Sequence, residues 1–241
     1  MNEKIILGKW SENTVGEIIA KASGVRTPGA RISFLSDHFL GTPYQGSTLI
    51  GSPDTPEELV VNLAGFDCFT FIDQIEAMRL AQTFPDFLQR LQEIRYKGGM
   101  VTYENRKHFF TDWIEYNGRF VKDVTRAIGG EDTRQTMKML NIGRDGELLV
   151  PGIEPKDRTF DYLPSALIGQ DVMEYFREGD YVGIYSDMDG LDVSHVGIIV
   201  AEKKVAYLRH ASSATDCHKV TDQLFTDYMK GKTGAVVLRP V

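Results

Sequence analysis

Cys68, His195 and His210 are the residues whose types and positions could support nucleophilic catalysis. Cys68 lies in the run Gly65-Phe66-Asp67-Cys68-Phe69-Thr70-Phe71, where a loop gives way to a helix. A thiol at a helix start sits near backbone N–H groups and the positive end of the helix dipole, and both favour thiolate. A cysteine nucleophile needs a base, and the base needs a third group to hold its ring. His195 opens a predicted strand after the polar turn at 189–194, and His210 closes the next one. With Glu202-Lys203-Lys204 as the turn, a hairpin centred on Lys203 pairs His195 with about Ala211, so His210 falls almost opposite His195. The expected roles are Cys68 as nucleophile, His195 as general base and acid, and His210 as the residue that orients it. Singly, each has a plainer explanation: a small buried apolar thiol, a strand-end histidine bonded to backbone, a turn residue. A helix-opening cysteine and a paired-histidine hairpin in one chain favour the catalytic assignment.

Other uses of these side chains fit less well. His108, His195, His210 and His218 show neither i, i+4 pairing nor the paired-cysteine spacing of zinc sites, so no metal or other cofactor is expected. There is no Gly-x-Ser-x-Gly elbow and no nucleotide-binding loop. The formal net charge is −7, with Lys and Arg scattered, which argues against nucleic acid and anionic membranes as partners. No apolar run approaches the roughly 20 residues of a membrane span. The first ten residues hold only Ile5-Ile6-Leu7 as an apolar stretch, so no secretory signal is read there. Of the two cysteines, Cys68 and Cys217, the second is left unpaired if the first is a nucleophile, and the fold needs no bridge.

The elements that must position these groups follow from periodicity. Val15, Ile18 and Ile19 predict a helix over 14–22. Residues 39–56 form a Pro- and Gly-punctuated loop, and 58–62 a short strand. A helix over 68–83 presents Phe71, Ile72, Ile75, Met78 and Leu80 on one face, Pro85 ends it, and a second helix covers 86–95. Residues 96–117 mix aromatic and charged side chains without a clean period. Residues 129–164 are turn-rich, with a helix at 133–139, and look like a surface excursion. Residues 180–185, 195–201, 205–210 and 235–239 read as short strands of an antiparallel sheet. Helices early and strands late predict an α+β fold. The whole of 1–241 is expected to be one catalytic domain, with a core at about 40–84 and 178–241 and a helical or loop insertion at about 96–165.

Four motifs in order resemble the NlpC-type cysteine peptidases, papain-like amidases of bacterial peptidoglycan: Gly41-Thr42-Pro43-Tyr44, Asp67-Cys68, His195-Val196-Gly197-Ile198 and His210-Ala211-Ser212. The resemblance implies a papain-like core, with a nucleophile-bearing helix packed on an antiparallel sheet. Members that cut the γ-D-glutamyl bond to the diamino acid of the stem peptide usually carry Ser after the Cys, whereas this chain has Phe69. The segment Tyr103 to Trp113 is similar to the N-acetylmuramoyl-L-alanine amidase-like branch, which implies hydrolysis of the bond between muramic acid, in its anhydro form, and L-alanine. The stem-peptide endopeptidase activity is the alternative. Under the amidase resemblance, Trp113, Tyr103, Arg106 and His108 supply aromatic faces and donors for a sugar, while Phe109 and Phe110 are read as packing residues. Tyr44 becomes a candidate oxyanion donor or a cleft residue. Asp67 either caps the helix or touches substrate. The implied partners are muropeptides, and the implied location is the periplasm or cell envelope, with the cytoplasm as alternative.

Overall fold

The computed structural model describes residues 3–202 and 205–241. Its chain divides into two compact units, Met1–Arg106 with Arg209–Asp222, and Lys107–Leu208 with Gln223–Val241.

The first unit is built around one buried helix. Its elements are β1 (Glu3–Ile6), α1 (Glu12–Ser23), α2 (Pro28–Asp37), β2 (Leu59–Asn62), α3 (Cys68–Leu80) and α4 (Phe84–Arg95). β1 and β2 pair in parallel. The sequence predicts one apolar face on α3, yet every residue from Thr70 to Arg79 is buried. Its polar side chains are therefore matched inside: Asp73 accepts from Arg95 Nε at 2.9 Å, and Glu76 takes a two-pronged bond from Arg79. Apolar residues of α1, α2 and α4 pack in the same unit, including Ile19, Leu35, Phe87 and Leu91. Pro85 does not end α3. It lies in the first turn of α4, where a missing N–H costs nothing, and Thr83 caps that helix by accepting from Asp86 N.

The second unit contains α5 (Phe110–Tyr116), β3 (Val121–Asp123), α6 (Thr125–Gly129), β4 (Arg134–Leu140), β5 (Lys156–Pro164), α7 (Gln170–Met173), β6 (Tyr181–Tyr185), β7 (Val193–Glu202), β8 (Val205–Ala211), β9 (Val220–Leu224), α8 (Phe225–Tyr228) and β10 (Gly234–Pro240). The sheet order is β4-β5-β10-β6-β7-β8-β9, with β3 also on β10. β8 passes into the first unit after Leu208, and β9 returns from it after Asp222. Val182, Ile184, Ile199, Leu208, Phe225, Ala235 and Val237 form the unit's apolar core. The predicted α+β class and the four late strands agree with this large antiparallel sheet. The turn expected at Lys203 and Lys204 lies outside the described residues, while the two strands it was expected to join, β7 and β8, are neighbours in the sheet.

The helix expected over 133–139 is a strand. β4 pairs with β5 from Arg134↔Tyr162 to Leu140↔Lys156, so this part of the expected helical or loop insertion is a hairpin on the sheet. The residues Met, Lys and Leu suit a helix, but Thr136, Lys138 and Leu140 turn inward while Gln135, Met137 and Met139 are exposed, a period of two. The Lys138 ammonium donates to the carbonyls of Ser186, Met188 (2.8 Å) and Leu191 (2.9 Å), a long-range tie that local propensity cannot encode.

Candidate active site

In the first unit, the chain around Cys68 is fixed by a capping box. Asp67 Oδ1 accepts from Thr70 N at 2.7 Å, and Asp67 N donates to Thr70 Oγ1 at 3.1 Å. Cys68 is thereby the first residue of α3, partly exposed. Of the two roles open to Asp67 in the sequence, its side chain performs the cap.

Tyr44 is held beside this turn by backbone pairing. Phe66 N donates to Pro43 O at 3.1 Å, and Gln45 N donates to Phe66 O at 2.8 Å. On its other side the same loop pairs with the segment after β8: Tyr44 N donates to His218 O, Gly41 N to Val220 O, and Val220 N to Thr42 O, at 2.8–2.9 Å. Ser212 N in turn donates to Lys219 O at 3.0 Å. One lateral ladder thus joins the Gly41-to-Tyr44 loop, the Asp67-Cys68 turn and the His210-Ala211-Ser212 strand end. The Tyr44 phenol is pushed above its ordinary pKa, first by burial and then by the negative charge of a Cys68 thiolate and of Asp67. It therefore keeps its proton at neutral pH and remains a donor.

His210 is buried at the end of β8. Its neighbour Arg209 anchors that strand end: Nε and Nη2 bond the two Asp222 oxygens at 2.7 Å, and Nη1 reaches Ser36 Oγ at 3.1 Å and Ser33 O at 3.2 Å. Sequence reasoning passed over Arg209, Asn62 and Gln45. Asn62 closes β2, donates to Gln45 Oε1 and accepts from Ala64 N, which holds the approach to Cys68. A polar residue closing the apolar run Leu59-Val60-Val61 is the available signal.

In the second unit, His195 follows a β-bulge. Ile184 pairs with His195 but Tyr185 pairs with Val193, so Ser194 is the extra residue. Bulges re-aim the side chains next to them. Before the bulge, buried Asp192 accepts from Thr111 N (2.7 Å), Thr111 Oγ1 (2.9 Å) and Val193 N (2.7 Å). Burial raises the Asp192 pKa, against the pull of these bonds. The His195 ring lies 6.0 Å from that of Tyr228, centroid to centroid.

The four residues expected to bind sugar do not share a unit. Tyr103 and Arg106 are together in the first, with the guanidinium 4.9 Å from the ring centroid. Arg106 also meets Glu57 at 3.4 Å and donates to Gly51 O at 3.2 Å. Burial raises the Glu57 pKa against the pull of Tyr96 and Arg106. His108, partly buried, and Trp113 belong to the second. Trp113 is fully enclosed, edge-on to Tyr181 at 5.0 Å and stacked with Phe110 at 6.3 Å, so it packs the core and offers no face to a sugar. Phe109 and Phe110 are buried, as expected of packing residues.

Among solved structures, the chain resembles a Legionella pneumophila protein at 22% identity, with a TM-score of 0.80 over 95% of this chain and 94% of that one. It also resembles an N-acetylmuramoyl-L-alanine amidase from Bacteroides uniformis, at 28% identity and a TM-score of 0.71, covering 94% of this chain and 99% of the amidase. No curated protein matches. The family model for AmiA-like, N-acetylmuramoyl-L-alanine amidase-like proteins matches residues 34–235. That span takes in every motif described above, and the chain belongs to the AmiA-like, N-acetylmuramoyl-L-alanine amidase-like family.

Proposed function

We propose that this protein is a cysteine amidase on a papain-like core, hydrolysing the amide between anhydro-N-acetylmuramic acid and L-alanine in peptidoglycan fragments, in the periplasm or cell envelope. The observation that carries the proposal is the capped turn that begins α3 at Cys68, with the Tyr44 loop paired beside it. The family and the Bacteroides uniformis amidase support the bond class.

In the proposed reaction, Cys68 gives its proton to His195 and the thiolate attacks the lactyl carbonyl of the muramic acid. The oxyanion that forms is met by the Cys68 backbone N–H and the Tyr44 hydroxyl, which its raised pKa keeps protonated. As the tetrahedral intermediate collapses, the C–N bond breaks and His195 protonates the departing L-alanine amine. Water, deprotonated by His195, then attacks the thioester, releasing the sugar acid and restoring the thiol. His210 orients His195. Phe69 offers no hydroxyl where stem-peptide endopeptidases usually carry Ser, which supports the sugar junction as the bond cut.

The test is digestion of an anhydro-muramyl peptide with products read by mass. Wild type is expected to release anhydro-muramic acid and intact stem peptide, and Cys68→Ala to lower the rate roughly 10⁴-fold or more. A wild-type rate in the variant eliminates the nucleophile. Cleavage within the stem, or equal cleavage of a sugar-free peptide, eliminates the amidase.

A further inference from the structure

The neighbourhood of His195 extends the proposed reaction to its leaving group. The Tyr228 ring, at the end of α8, stands 6.0 Å from the His195 ring, and the Lys232 ammonium stands 5.2 Å from the centroid of the same Tyr228 ring. Tyr228 is partly buried against the core of its unit, so its ring is held in place. The backbone at Lys232 is fixed as well: its carbonyl accepts from the Ser165 hydroxyl, and Ser165 N donates to Thr233 O at 3.1 Å. The Lys232 side chain is exposed. An imidazole, an aromatic face and an ammonium thus follow one another on a fixed support.

We propose that Tyr228 and Lys232 form a binding subsite for an acidic peptide, the leaving group of the proposed reaction. Tyr228 packs against the L-alanine side chain, and Lys232 pairs with the α-carboxylate of the D-glutamyl residue that follows. The inference rests on His195 being the group that protonates the leaving amine. A proton donor must come within about 3 Å of the nitrogen it protonates, so the amine of L-alanine lies against His195. Extended chain advances roughly 3.3 Å per residue, which carries the alanine past the neighbouring ring and the next carboxylate toward the ammonium. The chain as a whole is acidic, at −7, so an anionic peptide needs a local cation where it binds.

Two anhydro-muramyl peptides test this, one with the free D-glutamyl α-carboxylate and one with that group as carboxamide. Wild type is expected to favour the acid about threefold to fivefold in kcat/KM, the difference residing in KM. Lys232→Ala and Lys232→Gln should erase the preference, Lys232→Arg should keep it, and raised salt should shrink it. Calorimetric titration of the full chain with the sugar-free peptide, in acid and carboxamide forms, reads the same preference without turnover. Equal or undetectable binding of the two peptides, or a preference that survives in Lys232→Ala, overturns the subsite. If neither muropeptide is hydrolysed while the calorimetric preference holds and depends on Lys232, the amidase assignment fails and the carboxylate site stands.

Discussion

Tyr44 and Asp67 are adjacent to the same thiol, and their roles separate under substitution. Tyr44→Phe keeps the ring and loses the hydroxyl. The expected outcome is a kcat lower by about 10²-fold with unchanged unfolding, checked by steady-state kinetics beside a denaturant titration. Asp67 acts through the turn it caps. Asp67→Ala should cost about 1 kcal/mol of stability in denaturant unfolding, and Asp67→Asn should keep most of it, because an amide oxygen can still accept from Thr70 N. Both residues were visible in the sequence as types, whereas their division of labour was not. A carboxylate before a helix suits a cap or a ligand equally, and only the bond to Thr70 N decides between them.

At the scale of elements, the start of β7 is set by Asp192 and by the bulge at Ser194. Asp192→Ala leaves Thr111 N and Oγ1 and Val193 N without their acceptor. It is expected to destabilise by about 2 kcal/mol and to lower kcat through displacement of His195. Calorimetric melting and kcat on the muropeptide check the two effects. The pH dependence has a defined sign. Burial raises the folded-state pKa of Asp192 above its unfolded value of about 3.9, so the folded protein holds this proton longer. The stability this group contributes is therefore greatest below the unfolded pKa and falls as pH rises through the folded one. Asp192→Asn, which cannot titrate, should flatten that part of the stability profile, from the unfolded pKa of about 3.9 upward. α3 and the strands β6, β7, β8 and β10 were legible because their apolar patterns are long or bounded by turn residues. β4 was not, because its pairing partner lies 16 or more residues on and its composition favours helix. Trp113 misled for a related reason. An aromatic among charges reads as a binding face, and only the packing of Phe110 and Tyr181 against it reveals a core residue.

At the scale of the whole molecule, the first unit is discontinuous in sequence, since Arg209–Asp222 belongs with Met1–Arg106. That short return segment supplies His218 and Val220 to the loop at Tyr44, and Arg209 to α2. A fragment of residues 1–106 therefore lacks one side of the ladder. It is expected to show fast amide exchange at Gly41 and Tyr44, which the full chain protects, as hydrogen exchange would measure. The order of the four motifs was readable in the sequence. The return of the fourth motif to the unit of the first two was not, because the run from Ser213 to Lys219 carries no periodic signal.

The ladder has a consequence for how such proteins can diverge. Since neighbouring backbones, and not the intervening chain, hold the Tyr44 loop, the Cys68 turn and the His210 strand end in alignment, the number of residues between them is mechanically irrelevant. Loop 46–58 is then free to lengthen or shorten without moving these three motifs relative to one another. Relatives should accordingly preserve motif order and the few paired positions while their inter-motif distances drift.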